Sequence, residues 1–129
     1  MFAKLAEVTF CNKVYHLAYT AKAMFEIQDI SGEKEIMEIL MDDTRDGFGL
    51  FCQTAEIMSQ AAEDLRRYEG AKPGDVLTAE FIAMAARPVD LLELKGAMTR
   101  AVAYGFGREI NDEKEEVDLG LAELQKKTG

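Results

Sequence analysis

The chain has 129 residues, a length suited to one domain, and 48% of them are apolar, enough to bury a core rather than leave the whole chain disordered. Its formal charge of −9 argues against nucleic-acid binding through clustered Lys and Arg on phosphates and suits a basic partner surface better. No stretch approaches the roughly 18 to 20 consecutive apolar residues of a membrane helix, and Met1-Phe2-Ala3-Lys4 does not lead from a basic start into a long apolar run, so neither a membrane span nor a secretory signal is expected.

Val8, Phe10, Val14, Tyr15, Leu17 and Tyr19 are residues that suit a half-buried pleated surface, and they predict a β-hairpin. Asn12-Lys13 lies between the two apolar runs and is the expected turn, which leaves Cys11 on a strand. Thr20 offers a hydroxyl cap to a helix over about 21–30, and Ser31-Gly32 ends it. Glu33 to Met41 (EKEIMEILM) carries Ile36, Met37, Ile39, Leu40 and Met41 between acidic residues and predicts a short amphipathic helix. Asp42-Asp43-Thr44 breaks the chain and supplies an N-cap for a long helix over about 45–68. Phe48, Phe51, Cys52, Ala55, Met58, Ala62 and Leu65 recur on one face of that helix, with Gln53, Glu56, Gln60, Glu63, Asp64 and Arg67 largely on the other. Gly47 and Gly49 weaken its first turn and point to a later start.

Gly70 to Asp75 (GAKPGD) is the clearest loop. Thr78 caps the next helix, about 79–86, apolar through Phe81, Ile82 and Met84. Pro88 biases Arg87 out of the helical region and itself begins a last helix, whose core stripe is Leu91, Leu94, Met98, Ala101 and Val102, to about Tyr104. Gly105 and Gly107 end the regular structure. Glu109 to Asp118 then holds six carboxylates against Lys114, a run that repels itself, and Leu119, Leu121 and Leu124 follow as a small apolar patch. The expectation is an α+β, mainly α chain: an N-terminal β-hairpin and about five helices in one globular domain over 1–107, then an acidic, flexible tail over 108–129.

Signals for chemistry are weak. His16 is the single histidine, and without a base or orienter it reads as structural or superficial. Cys11 and Cys52 read as two reduced, half-buried thiols, with a disulfide between them as the alternative. Neither CxxC nor HExxH occurs, and the two Gly-Phe-Gly triplets, at 47–49 and 105–107, read as flexible helix ends rather than phosphate loops. No catalytic, cofactor-binding or metal residue is therefore expected. Methionines adapt to irregular surfaces. Of Met24, Met37, Met41, Met58, Met84 and Met98, most read as core, while Met37 and Met41 stand out as contact residues on a short helix. The partner-binding candidates are Met37, Leu40 and Met41, together with Leu119, Leu121 and Leu124 of the tail.

The order of parts resembles the tail assembly chaperones of long-tailed bacteriophages. The likeness runs over about residues 8–106. It rests on the opening hairpin, the Thr20–Gly32 helix (TAKAMFEIQDISG), and the long helix closing on Arg66-Arg67-Tyr68-Glu69-Gly70 with Pro73-Gly74 after it. These are structural segments rather than catalytic signatures. The resemblance implies a non-enzymatic protein, without cofactor, that works in the cytoplasm of the bacterial host and is absent from the mature virion. Its partners would be the tape-measure protein, whose apolar helices it keeps soluble, and the tail-tube subunits it helps to recruit; self-association is implied as well. Such chaperones are often made in two lengths by ribosomal frameshifting, and this chain would be the short form. Gln125-Lys126-Lys127 is compatible with a slippery heptamer when Gln125 is encoded CAA.

Three other readings compete with it. The chain could be an acidic helical adaptor or inhibitor unrelated to phage tails, a small enzyme using Cys52 or His16, or a nucleic-acid mimic directed at a basic protein.

Overall fold

The computed structural model describes residues 4–108. Leu119, Leu121 and Leu124, and the expected flexibility of the tail, lie outside the described residues. Among the described residues, an antiparallel two-stranded hairpin is followed by five helices, as the pattern of periods and breakers predicts.

Strand β1 (Ala6–Phe10) pairs with β2 (Lys13–Leu17), with Ala6 opposite Leu17, Val8 opposite Tyr15 and Phe10 opposite Lys13. Burial alternates with the pleat: Ala6, Val8, Phe10, Tyr15 and Leu17 face the core, while Glu7, Thr9 and Val14 face outward. The turn is Cys11-Asn12, one position earlier than expected. Both residues have positive φ, 51° and 65°, the conformation a two-residue hairpin turn of right-handed twist requires. Cys11 is accordingly an exposed turn residue and not a strand residue. Lys13 is released to begin β2 and reaches the carboxylate of Asp75.

Helix α1 (Ala21–Ser31) starts where the Thr20 hydroxyl accepts the Ala23 N–H at 3.1 Å, and it ends on Gly32 at φ 69°. Helix α2 (Ile36–Leu40) is shorter than the sequence predicts. Glu33 takes φ 67° and Glu35 is extended, so the polar first part of the segment stays outside the helix. Helix α3 (Arg45–Tyr68) begins on the expected cap: the Thr44 hydroxyl accepts the Gly47 N–H at 3.1 Å. Gly47 does not delay the start. It allows a close approach, because a Cβ there would run into the Asp42 carboxylate.

Helix α4 (Ala79–Ala85) is capped by Thr78. It buries Ile82 fully and Phe81 in part, and leaves Met84, expected in the core, 76% exposed. Helix α5 (Pro88–Gly105) opens with Pro88 in its first turn, and the Asp90 carboxylate accepts the Arg87 N–H at 2.8 Å.

The hairpin lies against α3 through β2 and against α5 through β1. Leu17, Met58, Leu94 and Met98 are fully buried between these elements. The Ala18 N–H donates to the Met58 carbonyl at 3.0 Å, pinning the strand exit to α3, and Phe81 meets Phe10 edge-on with centroids 5.2 Å apart. Among the described residues, no helix is long and apolar enough to cross a membrane.

Candidate functional site

Helix α3 carries two stripes of different chemistry. Glu56, Ser59 and Glu63 follow one another at three- and four-residue steps and so share a face. Each accepts a backbone N–H from the segment that returns after the helix. Glu56 takes Ala79 at 2.7 Å, Ser59 takes Leu77 at 2.8 Å, and Glu63 takes Gly74 at 2.7 Å. Glu63 is only 2% exposed and also accepts Arg66 Nη1 at 2.7 Å. Its place off the apolar stripe does not leave it in water, because a loop covers it. Gly74 permits this, because a Cβ there would stand 2.9 Å from Glu63 Oε1. His16 completes the cluster, with Nδ1 at 3.7 Å from Glu63 and Nε2 at 3.7 Å from Glu7.

A second stripe, Ile57, Ala61 and Leu65, runs at four-residue steps along the other flank of the buried face and receives no loop. With Ala23 and Thr20 of the α1 end it lines a groove of about 440 Å³, rimmed by Lys22, Glu26, Gln60, Asp64 and Tyr68. The floor is apolar and the rim carries both signs of charge. The rim ions engage one another, Lys22 with Glu26 at 3.8 Å and Asp64 with Arg67 at 3.8 Å. A smaller groove of about 200 Å³ opens where α2 hands over to α3, against the start of α5. Phe48, Phe51, Leu91 and Leu92 line it, and Lys95 bridges to Asp43 at 2.7 Å across its edge.

No protein-family model matches the chain, and neither a curated protein nor a solved structure does. The site has to be read from its own chemistry.

Met37 and Met41 are 42% and 57% exposed, positions open to a partner. Leu40 is not. It is 0% exposed and packs with Ile39 in the core, because a helix of five residues must turn its two consecutive aliphatics inward to be held at all. Leu40 is therefore corrected from contact residue to core residue. Met41 directly precedes Asp42, which lines the smaller groove, so α2 borders a site rather than forming one.

Burial raises the Cys52 thiol above its ordinary value, which disfavours the nucleophilic thiolate. Cys11 is exposed and Cys52 buried, so the two thiols are unlike rather than equally half-buried, and both are free. Among the described residues, no group of three His, Cys, Asp or Glu side chains could hold a metal ion.

The larger groove was missed in the sequence. Its signal was the run Ile57, Ala61, Leu65, which continues the apolar surface of α3 beyond the width of a single core stripe.

Proposed function

We propose that this protein is a non-enzymatic assembly chaperone that holds an apolar helical segment of a larger client in the α1–α3 groove. The observation that carries the reading is the groove itself: an apolar floor of Ala23, Ile57, Ala61 and Leu65 between two helices, left uncovered by the described part of the chain. Apolar helices are commonly held this way, with residues at three- and four-residue steps entering a groove between helices. The strongly acidic composition keeps such a complex soluble.

The likeness to phage tail assembly chaperones gives the client a chemistry. It would be the tape-measure protein, a long helical chain with many apolar faces, and the chaperone would also bring tail-tube subunits to it. The work would be done in the cytoplasm of the bacterial host and finished before the virion is complete. Self-association would use the exposed apolar residues near α2, Met37 and Met41, which are separate from the client groove.

The test begins with the gene and the few kilobases after it. A slippery heptamer at codons 125–127 and a long helical gene downstream would support the reading. The downstream product is then co-expressed with the tagged chain. Co-purification that is lost on Ala61→Glu and kept on Lys22→Ala is the expected result. Failure to co-purify, or equal capture by Ala61→Glu, would overturn the groove as client site and bring forward the acidic adaptor.

A further inference from the structure

The chain leaves the described fold beside the α1–α3 groove. At the end of α5, Gly105 lies so close to Tyr19 that a Cβ would run into its carbonyl oxygen, and the Phe106 ring leans on the Tyr19 ring with centroids 5.9 Å apart. Gly107, at φ 81°, lets the Arg108 N–H return to the Ala103 carbonyl at 2.9 Å and close the helix. Tyr19 is followed by Thr20, which lines the groove. Residue 108 is therefore delivered next to the Thr20 end of the groove.

Twenty-one residues follow it, 109–129, and their sequence divides in three. Residues 109–116 (EINDEKEE) are mostly acidic; eight residues can span up to about 27 Å, against about 16 Å for the whole length of α1. Residues 117–124 (VDLGLAEL) are apolar at Val117, Leu119, Leu121, Ala122 and Leu124, and of these Val117, Leu121 and Leu124 fall at four- and three-residue steps. Lys126-Lys127 follows and balances Asp118 and Glu123, so 117–127 carries no net charge although the chain carries −9. A neutral segment with an apolar stripe and a basic end matches a groove with an apolar floor and carboxylates on its rim.

We infer that residues 117–127 of this same chain dock in the α1–α3 groove, with Val117, Leu121 and Leu124 on Ile57, Ala61 and Leu65. Lys126 and Lys127 then reach the rim carboxylates of Glu26 and Asp64. The tether decides between occupants. A segment joined by a short linker is held at an effective concentration in the millimolar range, so a weak contact suffices, whereas a second copy would have to be that concentrated in solution. Weak docking also makes the segment a placeholder that a client of higher affinity displaces. The inference rests on the groove and the chain exit, whoever the client is.

The experiment uses the full chain carrying Cys11→Ser and Thr128→Cys, with a nitroxide on the introduced thiol alone, since Cys52 is buried. Amide signals of the ¹⁵N-labelled protein are then recorded with the nitroxide oxidised and reduced. Broadening at Ala23, Ala61 and Leu65, absent at Phe48 and Leu92, is expected. It should survive tenfold dilution and disappear with Leu121→Asp and Leu124→Asp together. Three results would overturn the inference: no broadening at the groove, equal broadening at Phe48 and Leu92, or broadening that also arises when the nitroxide sits only on unenriched copies mixed with ¹⁵N chains. Co-purification with the client is read separately. Broadening without capture would remove the chaperone reading alone, and capture without broadening would remove the docking alone.

Discussion

The two stripes of α3 lie on nearly opposite sides of the helix and have opposite fates. Glu56, Ser59 and Glu63 are closed over by the chain's own segment, with each side chain accepting a backbone N–H. Ile57, Ala61 and Leu65 stay open as a groove. The difference lies in what each surface can offer a returning loop. A loop carries N–H groups that must be paired when they leave water, and only a stripe of acceptors can bury them without loss. An apolar stripe has nothing to give a loop, and is covered instead by another apolar face. The acidic stripe is thus the structural side of α3, and the plain aliphatic stripe is the side left for binding.

Breaking the closed side should have the largest effect on stability. Glu63→Ala removes a buried carboxylate and leaves the Gly74 N–H and the Arg66 guanidinium, both at the edge of solvent, without that acceptor. Loss of hydrogen bonds to a buried charge costs about 2–3 kcal/mol, which for a domain of about 100 residues lowers the midpoint of thermal unfolding by roughly 10–20 °C. Ser59→Ala removes one neutral acceptor from the Leu77 N–H and should cost less, about 1–2 kcal/mol. Thermal unfolding of both variants by circular dichroism checks the order. If Glu63→Ala were no worse than a surface change, the closed side would not be closed by these bonds.

The ends of the helices respond to pH, and the two faces of α3 can be separated from them on that basis. The Asp42 carboxyl is held below its usual range first by the Thr44 hydroxyl and then by the Thr44 N–H, which it binds at 2.5 and 2.9 Å. Asp90 is lowered in the same direction, by the Arg87 side chain first and its N–H second. A folded-state value below the unfolded one gives stability that is fully present above the unfolded value, near pH 4, and lost as pH falls through the folded value. Asp42→Asn should therefore be less stable than the parent at pH 7, with the gap shrinking below pH 4. Urea midpoints measured from pH 7 to pH 2 check the sign; a gap that widens in acid would contradict it.

Most of the fold was legible because local signals agreed with one another. Thr20, Thr44 and Thr78 each cap the helix they were expected to cap, and Pro88 opens α5. The misreadings share a cause: they depend on partners distant in sequence. Glu63 looks solvated until Gly74 arrives eleven residues later. Gly47 looks like weakness until the Asp42 carboxylate is seen against it. Leu40 and Met41 are neighbours of similar character, yet one is buried and the other 57% exposed, because one turn of helix has only one inward side. The groove was the least legible feature. Its α3 wall can be read as a repeat of four, but α1 brings Thr20 and Ala23 to it from more than thirty positions away, and nothing in either segment names the other.

The smallest effect on stability is expected on the open side, and it is the sharpest test of the comparison. Ala61 lines the groove and is half-buried there. Glu is nearly as good a helix former as Ala, and a longer side chain at this position can turn toward solvent, so Ala61→Glu should change stability by no more than about 0.5 kcal/mol. It places a carboxylate among Ile57, Leu65 and Ala23, and an apolar segment docking there would have to strip water from that charge. Stability and binding should therefore part company, with unfolding nearly unchanged and co-purification with the client lost. If instead Ala61→Glu destabilised the protein as much as Ser59→Ala, the second stripe would be core that happens to lie near the surface. Both sides of α3 would then be structural, and the groove would have no function to explain.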